Sequence, residues 1–162
     1  MLIRGKIPNA EPIINIGLVL PNDQIKNIKI SSSKESAFDF YINDRTFKPN
    51  DTKLNITVND GQLFCNDKNS SNIRINANSN SKEEYILIDS LPIGRGFHWE
   101  NHIPVKVLGN IIVMVMKNNI FVVNQIKLED YIMCVSTSEM SAECPPDLLK
   151  SQTIAARSWL LA

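Results

Sequence analysis

The spacing of the apolar residues changes at Leu128, and this change restricts the chain to one class of fold. Before Leu128, apolar and polar residues alternate in short runs, as at Leu54, Ile56 and Val58, which is typical of strands with one buried face. From Leu128 onwards, apolar residues recur every three or four positions, which is typical of helices with one buried face. The sequence therefore predicts an α+β fold, with a mainly antiparallel β region followed by two helices.

Turn-forming residues divide the β region, residues 12–126, into short strands. Asp60-Gly61 predicts a hairpin turn, because this dipeptide tolerates positive φ. The polar stretch from Asn76 to Ser81 is the best candidate for a linker on composition. The sequence pattern changes further along the chain, so we predict two domains: a β-rich region at 1–92 and a second domain at 93–162.

Three apolar runs open the second predicted domain, at residues 103–108, 111–116 and 120–123. Short polar turns at Gly109-Asn110 and Asn118-Asn119 join them. This arrangement predicts a three-stranded antiparallel meander that leads directly into the first helix.

Two helices joined by a polar turn are predicted at the C-terminal end. The first covers residues 128–135 and the turn covers residues 136–144. The second begins at Pro145-Pro146-Asp147, since proline suits the first helical position, where it has no N–H to lose. Tyr131 and Trp159 fall on the apolar faces, and we predict them as core residues rather than residues that stack on a ligand.

Lys150 and Arg157 are seven residues apart on the second predicted helix, and so lie within roughly 20° of one another on one face. The nearest carboxylates in the sequence, Glu139 and Glu143, belong to the predicted turn. A carboxylate faced by cations on a rigid helix suits acid/base chemistry. An ordinary solvated helix face has the same composition, and the pattern alone leaves both interpretations open.

Composition and charge exclude several classes of function. The 17 basic and 17 acidic residues give a formal net charge of zero, which offers no electrostatic basis for binding nucleic acid. No apolar run approaches the roughly 18 residues of a membrane span, and a secretory signal pattern is missing near Met1. The cysteines, Cys65, Cys134 and Cys144, are odd in number and lack a Cys-x-x-Cys pair, which argues against a disulfide framework or a zinc ribbon.

His98 and His102 flank Glu100 with the i, i+4 spacing of a helical metal site. They lie in a glycine-containing loop that precedes a strand, where helical geometry is not expected. We therefore predict no metal at this pair.

The C-terminal residues resemble the signature of the stage II sporulation protein D family, also called the SpoIID/LytB domain. The match runs almost unbroken from Asn124 to Ala162. Four segments carry it: Leu128-Glu129-Asp130-Tyr131, Ser138-Glu139-Met140, Leu149-Lys150-Ser151-Gln152 and Ile154-Ala155-Ala156-Arg157-Ser158. The stretch Gly94-Arg95-Gly96-Phe97-His98-Trp99-Glu100 looks like an element that precedes this signature in a subgroup of non-sporulating bacteria.

Enzymes of this family are lytic transglycosylases, so the resemblance implies cleavage of the bond between N-acetylmuramic acid and N-acetylglucosamine in peptidoglycan. The family's catalytic glutamate maps to Glu139, which would act as general acid and then general base. Its basic positions map to Lys150 and Arg157, which would bind substrate. Glu129 and Glu143 are the rival carboxylates. Some family members are described instead as enhancers of a cell-wall amidase, which leaves a non-catalytic binding role as the alternative.

The resemblance also implies partners, a location and the extent of the domain. The expected partner is the peptidoglycan glycan strand, with a cell-wall amidase as a second partner, outside the cytoplasm in the periplasm or cell envelope. No cofactor is expected within this chain, because the zinc ligands of some family members lie downstream of the position of Ala162. The second helix lacks a capping residue by Ala162, so we expect a truncated domain that is inactive by itself.

Overall fold

The computed structural model describes residues 9–34, 37–47, 52–66, 68–77, 83–141 and 143–161. The chain divides into two compact units, of which the larger is Asn15–Gln125 and the smaller combines Met1–Ile14 with Ile126–Ala162. The domain boundary predicted between residues 92 and 93 falls within the larger unit, and the division into domains stays a prediction. Most of the predicted linker, residues 78–81, lies outside the described residues, as does Ala162.

Strands dominate the described part of the chain, with two α-helices at its C-terminal end. The strands are β1 Ile13–Val19, β2 Asn27–Ser32, β3 Phe38–Ile42, β4 Arg45–Phe47, β5 Lys53–Asn59, β6 Gln62–Cys65, β7 Lys68–Ser70, β8 Asn72–Ala77, β9 Ile86–Ile93, β10 Asn101–Val107, β11 Asn110–Met116 and β12 Asn119–Lys127. The α-helices are α1 Leu128–Met140 and α2 Pro146–Leu161, and a short 3-10 helix covers Pro21–Asp23. The predicted α+β class is confirmed.

The strands form two six-stranded sheets. One has the order β1-β12-β11-β8-β3-β4 and the other has the order β10-β9-β2-β5-β6-β7. Neighbouring strands such as β5 and β6, or β8 and β11, pair antiparallel. The predicted hairpin at Asp60-Gly61 joins β5 to β6, with both turn residues at positive φ.

One hydrophobic core fills the larger unit and takes side chains from both sheets. In β5, Leu54, Ile56 and Val58 are buried while the residues between them are exposed or half-buried, as the sequence alternation predicts. Ile73 and Ile75 of β8 contribute from the other sheet. Because side chains alternate between the two faces of a strand, each sheet offers one apolar face to this core.

The predicted meander is correct for β11 and β12 and wrong for β10. β11 pairs over its whole length with residues 119–125 of β12, but the other edge of β11 is occupied by β8. β10 instead pairs with β9 at the end of the second sheet, and its register shifts around Pro104. Proline lacks the N–H that a central strand needs, so it suits an edge strand. Gly109, at φ 79°, takes the chain from one sheet to the other.

The first helix extends further than predicted, because residues 136–140 continue α1 instead of forming a turn. The hydroxyl groups in this stretch hydrogen-bond within the helix: Thr137 Oγ1 donates to the Met133 carbonyl at 2.9 Å and Ser138 Oγ to the Val135 carbonyl at 3.1 Å. Serine and threonine often compete with a helix, but here they bond back to it. The helix ends at Ser141, whose φ is 66°.

Residues far away in sequence cap the start of α1. The Leu128 N–H donates to the Pro12 carbonyl at 2.9 Å, and the Glu129 N–H donates to Glu11 Oε1 at 3.0 Å. The first N–H groups of a helix have no partner within it, and a carboxylate there also complements the helix dipole. Glu11 therefore performs the capping that the Lys127 side chain does not provide.

Candidate functional site

Helix α1 presents two different stripes of side chains, each spaced four residues apart. Leu128, Ile132 and Ser136 form the buried stripe. Tyr131, Val135 and Glu139 form the second stripe, which faces α2 and lines a groove. A four-residue spacing places side chains above one another on one helix face, so the helix carries the Glu139 carboxylate at the end of an apolar row.

Three side-chain contacts join α1 to α2, and their order shows that the helices run in opposite directions. Glu129 contacts Arg157, Ser136 contacts Thr153, and Glu139 contacts Gln152. The two hydroxyl oxygens of the middle contact are 3.1 Å apart. The ends of the pair are therefore tied by polar contacts, one of which holds Glu139.

Gln152 is the hydrogen-bond partner of Glu139. Its Nε2 donates to Glu139 Oε2 at 2.6 Å, and the Glu139 side chain is otherwise exposed at the last turn of α1. A side-chain amide has donors at one end and an acceptor at the other. Gln152 can therefore donate a hydrogen bond to the ionised carboxylate through its N–H and, after a half-turn of the amide, accept a hydrogen bond from the O–H of the neutral acid through its oxygen.

The groove between the helices has a volume of about 390 Å³ and is open to solvent. Its lining is apolar except at one end: Tyr131, Val135, Glu139, Gln152, Ala155, Ala156, Trp159 and Leu160. Burial raises the pKa of the Tyr131 hydroxyl above its ordinary value, and the negative charge of Glu139 raises it further. Tyr131 therefore stays neutral and can donate a hydrogen bond within the groove.

Arg157 and Glu129 form a two-pronged ion pair at the other end of the helices. Arg157 Nε lies 2.9 Å from Glu129 Oε1 and its terminal nitrogen 2.5 Å from Oε2. The hydrogen bond from Arg157 lowers the pKa of Glu129 below its ordinary value and, in return, raises that of the guanidinium. A carboxylate held ionised by a cation is a poor proton donor, so the pair argues against Glu129 as a general acid.

The other predicted site residues make their contacts with groups other than Glu139. Lys150 contacts Asp147, three residues earlier on α2, at 3.2 Å, with both side chains largely exposed. Glu143 is exposed in the segment between the helices, where its N–H donates to Ser141 Oγ at 3.3 Å. The structure therefore brings Gln152 to Glu139, whereas Lys150 and Arg157 contact carboxylates of α2 and α1.

The prediction that Trp159 is a core residue is wrong, because its side chain is 85% exposed. Tyr131 is half-buried. The described part of α2 has no fully buried residue, although its sequence repeats apolar residues with a helical period. Periodicity identifies an apolar stripe, but burial requires an element that covers the stripe.

Within the described residues, no group of three or more histidine, cysteine or acidic side chains is arranged to hold a metal ion. None of the three cysteines is in a disulfide: Cys65 is buried, Cys144 is half-buried and Cys134 is exposed. The Cys144 thiol donates to the Met140 carbonyl at the end of α1.

Comparison with known proteins identifies one family. The model of the SpoIID family, described as stage II sporulation protein, matches residues 116–162. The match covers the C-terminal part of the chain, with β12 and both helices, and confirms the resemblance seen in the sequence. Neither the curated proteins nor the solved structures contain a significant match. Among the described residues, neither helix combines the length and apolar character needed to cross a membrane.

The sequence analysis selected site residues by their charge, and so did not predict Gln152, which is uncharged. It lies on the same side of α2 as Ala155, Ala156 and Trp159, which line the groove with it. A polar residue within an otherwise apolar helical stripe was the available signal, since such a group needs a hydrogen-bond partner on the facing element.

Proposed function

We propose that this protein acts on bacterial peptidoglycan as a lytic transglycosylase, with Glu139 as its general acid and base. The SpoIID match over residues 116–162 supports a role in sporulation or the cell wall. The observation that carries the finer proposal is the hydrogen bond between Gln152 and Glu139 at the end of an apolar groove.

The groove suits a sugar better than a small charged ligand. Its walls are mainly apolar and aromatic, while hydrogen-bonding groups gather near Glu139. Ligand sites for uncharged molecules commonly combine an apolar lining with a few polar groups that fix orientation. The hydroxyls of one sugar ring would meet Glu139 and Gln152, while the C–H face of a neighbouring ring of the strand would lie against Trp159, within reach of the Tyr131 hydroxyl.

A single carboxyl group can carry out the whole reaction. The Gln152 N–H occupies Glu139 Oε2, so the proton of the neutral acid sits on Oε1, from which it passes to the glycosidic oxygen as the bond to C1 breaks. The resulting carboxylate then removes the proton from the C6 hydroxyl, and O6 bonds to C1 to close the 1,6-anhydro ring. Glu139 ends protonated, and no water is consumed, in contrast to hydrolysis by two carboxylates.

The two cations take different parts in this proposal. Arg157 fixes α2 against the start of α1 through Glu129, and so positions Gln152. Lys150 contacts Asp147, and both side chains are largely exposed, which leaves Lys150 accessible to the carboxylate or carbonyl oxygens of a glycan. The protein would act in the cell envelope, where its substrate lies.

A non-catalytic role in binding the cell wall is the second candidate. One observation favours it: the Glu139 side chain is exposed at the last turn of α1, in a groove that is open to solvent rather than closed around a substrate. A protein of this kind would bind glycan and stimulate a cell-wall amidase without cleaving the strand itself.

Digestion of purified peptidoglycan sacculi separates the two functions. The proposal expects 1,6-anhydro-muropeptides, detected by mass spectrometry, from the full-length wild-type parent, in which the variants below are also made. Glu139→Gln should reduce their yield by about 10²–10⁴-fold, the usual contribution of a general acid/base, and should leave binding to sacculi unchanged because the shape of the side chain is kept.

Glu143→Gln is the matched control, because it removes an exposed carboxylate four residues away and should keep full activity. Wild-type activity in Glu139→Gln would refute the catalytic role. Binding of sacculi without anhydro products, together with faster release of peptides by an added amidase, would support the second candidate.

A further inference from the structure

Two aromatic side chains in the larger unit are stacked on one another and exposed to solvent. The ring centroids of Phe97 and Trp99 are 5.5 Å apart, and the ring planes differ by 16°. The Phe97 side chain is 63% exposed and that of Trp99 is 54% exposed. We call this pair the aromatic platform. Its loop lies outside residues 116–162, so the SpoIID match assigns it no role.

The loop backbone holds the platform in place. Gly94 has a φ of 64°, and a Cβ built on it would lie 2.3 Å from ring carbons of Trp99. The indole can therefore lie directly over the glycine. The Phe97 N–H donates to the Gly94 carbonyl at 2.9 Å, and the Glu100 N–H donates to the Phe97 carbonyl at 3.0 Å. These contacts hold the backbone at Phe97 and the Trp99 ring, and the Phe97 ring stacks on the latter.

Two side chains close the loop further. The Gly96 N–H donates to Glu100 Oε2 at 2.9 Å. Arg95 donates to both carboxylate oxygens of Asp23, at 2.6 and 2.8 Å, and to the Leu18 carbonyl at 2.6 Å. An aromatic surface that is rigid before it binds loses little conformational entropy on binding. This organisation is that of a binding surface rather than a flexible connection.

The charges around the platform favour an uncharged ligand. Arg95 is paired with Asp23, and the chain has no net charge. Nucleic acids and anionic membranes are recognised through unpaired basic groups. Exposed polar groups flank the rings instead, including His98, Glu100 and Asn101.

We propose that the aromatic platform binds a saccharide ring of a glycan strand. The apolar C–H face of a pyranose matches the flat face of an aromatic ring, and its equatorial hydroxyls would reach the polar groups at the platform's margin. The naming of this glycan as peptidoglycan rests on the proposed function. The platform would hold a strand by a contact that does not use Glu139 or the groove between the helices.

The two tryptophans of the chain, Trp99 and Trp159, make the test direct. In the Trp159→Phe variant, Trp99 is the only tryptophan left, so its fluorescence reports the platform alone. Titration with a hexamer of β-1,4-linked N-acetylglucosamine should change its emission in a saturable way. Phe97→Ala should weaken the apparent affinity by at least about tenfold, whereas Phe97→Tyr, which keeps the ring, should restore it.

Circular dichroism and thermal melting provide the folding control, because Phe97 is exposed and its truncation should leave both unchanged. The proposal would be overturned if the Trp99 fluorescence does not change when the hexamer is added, or if Phe97→Ala leaves the affinity for the hexamer unchanged. A response to uncharged phosphatidylcholine vesicles without a response to the hexamer would overturn it as well, in favour of a lipid surface.

The same variants distinguish this proposal from the proposed function. Glu139→Gln should not alter the titration. Binding that depends on Phe97, in a protein that yields no anhydro products, would refute the catalytic proposal and leave the platform standing. If the protein yields anhydro products but Phe97→Ala leaves its saccharide affinity unchanged, the platform proposal is refuted and the catalytic proposal stands.

Discussion

Replacement of Arg95 by alanine should lower the free energy of unfolding by about 2 kcal/mol. The Asp23 side chain is only 7% exposed, and its oxygens accept two hydrogen bonds from Arg95 and one from the Leu20 N–H at 2.7 Å. A hydrogen bond to a charged group contributes about 1.5–3 kcal/mol. The Arg95 side chain, which also donates to the Leu18 carbonyl, is 35% exposed, so water would replace part of the three lost bonds, which reduces the expected sum to about 2 kcal/mol.

The effect should depend on pH in one direction. Burial alone would raise the pKa of Asp23, but the hydrogen bonds from Arg95 and Leu20, with the charge of Arg95, bring it below its ordinary value. A carboxyl group whose pKa is lower in the folded state binds fewer protons than in the unfolded state. Its stabilisation is therefore complete above the unfolded pKa of about 3.9 and is lost as the pH falls through the folded value.

Urea unfolding of four proteins measures the interaction: the wild type, Arg95→Ala, Asp23→Asn and the double variant. We expect a coupling energy of about 1–2 kcal/mol at pH 7, a melting temperature about 4–8 °C lower for Arg95→Ala, and a coupling that decreases below pH 4. Coupling under about 0.3 kcal/mol at pH 7, or coupling that is unchanged at pH 3, would refute the reasoning.

Two further predictions concern the larger unit and the thiols. Gly94→Ala should destabilise the protein by about 2–3 kcal/mol in thermal melts, because a Cβ at this position meets Trp99. The control Gly61→Ala should cost only the roughly 1 kcal/mol of positive-φ strain, since no atom lies within 4 Å of a Cβ built there. Equal losses of stability in the two variants would contradict the packing of Trp99 on Gly94. Burial raises the pKa of Cys65 to about 11. This thiol should therefore react with a disulfide reagent at pH 8 only when the protein unfolds, whereas the exposed Cys134 should react at once. Rapid labelling of Cys65 in the native protein would contradict its burial.

The candidate site was predictable in its parts and not in its contacts. The residues around Glu139 identified the family, and the helical spacing placed Lys150 and Arg157 on one face. Neither the family resemblance nor the helical spacing indicates which side chains are in contact, because the contacts depend on how α1 packs against α2. In the structure, the antiparallel packing of the two helices brings Arg157 to Glu129 and Gln152 to Glu139.

The sequence by itself determined the class of fold, the faces of the strands and most of their positions. The alternation at Leu54, Ile56 and Val58 and the turn at Asp60-Gly61 are local, and local spacing decides which side chains point to one face. It also determined the two helices, although it placed the end of α1 too early because it could not show that hydroxyl groups would bond back to the helix.

Only the tertiary structure decided which strand edges meet. An alternating strand has the same backbone donors and acceptors along both edges, so its sequence does not select a partner, and distant pairing depends on closing long loops around a shared core. For this reason β8 pairs with β11, β10 joins β9, and Glu11 caps a helix that begins more than a hundred residues later. The same physics brings Arg95 to Asp23, a contact between residues far apart in the sequence that ties down the loop of the aromatic platform.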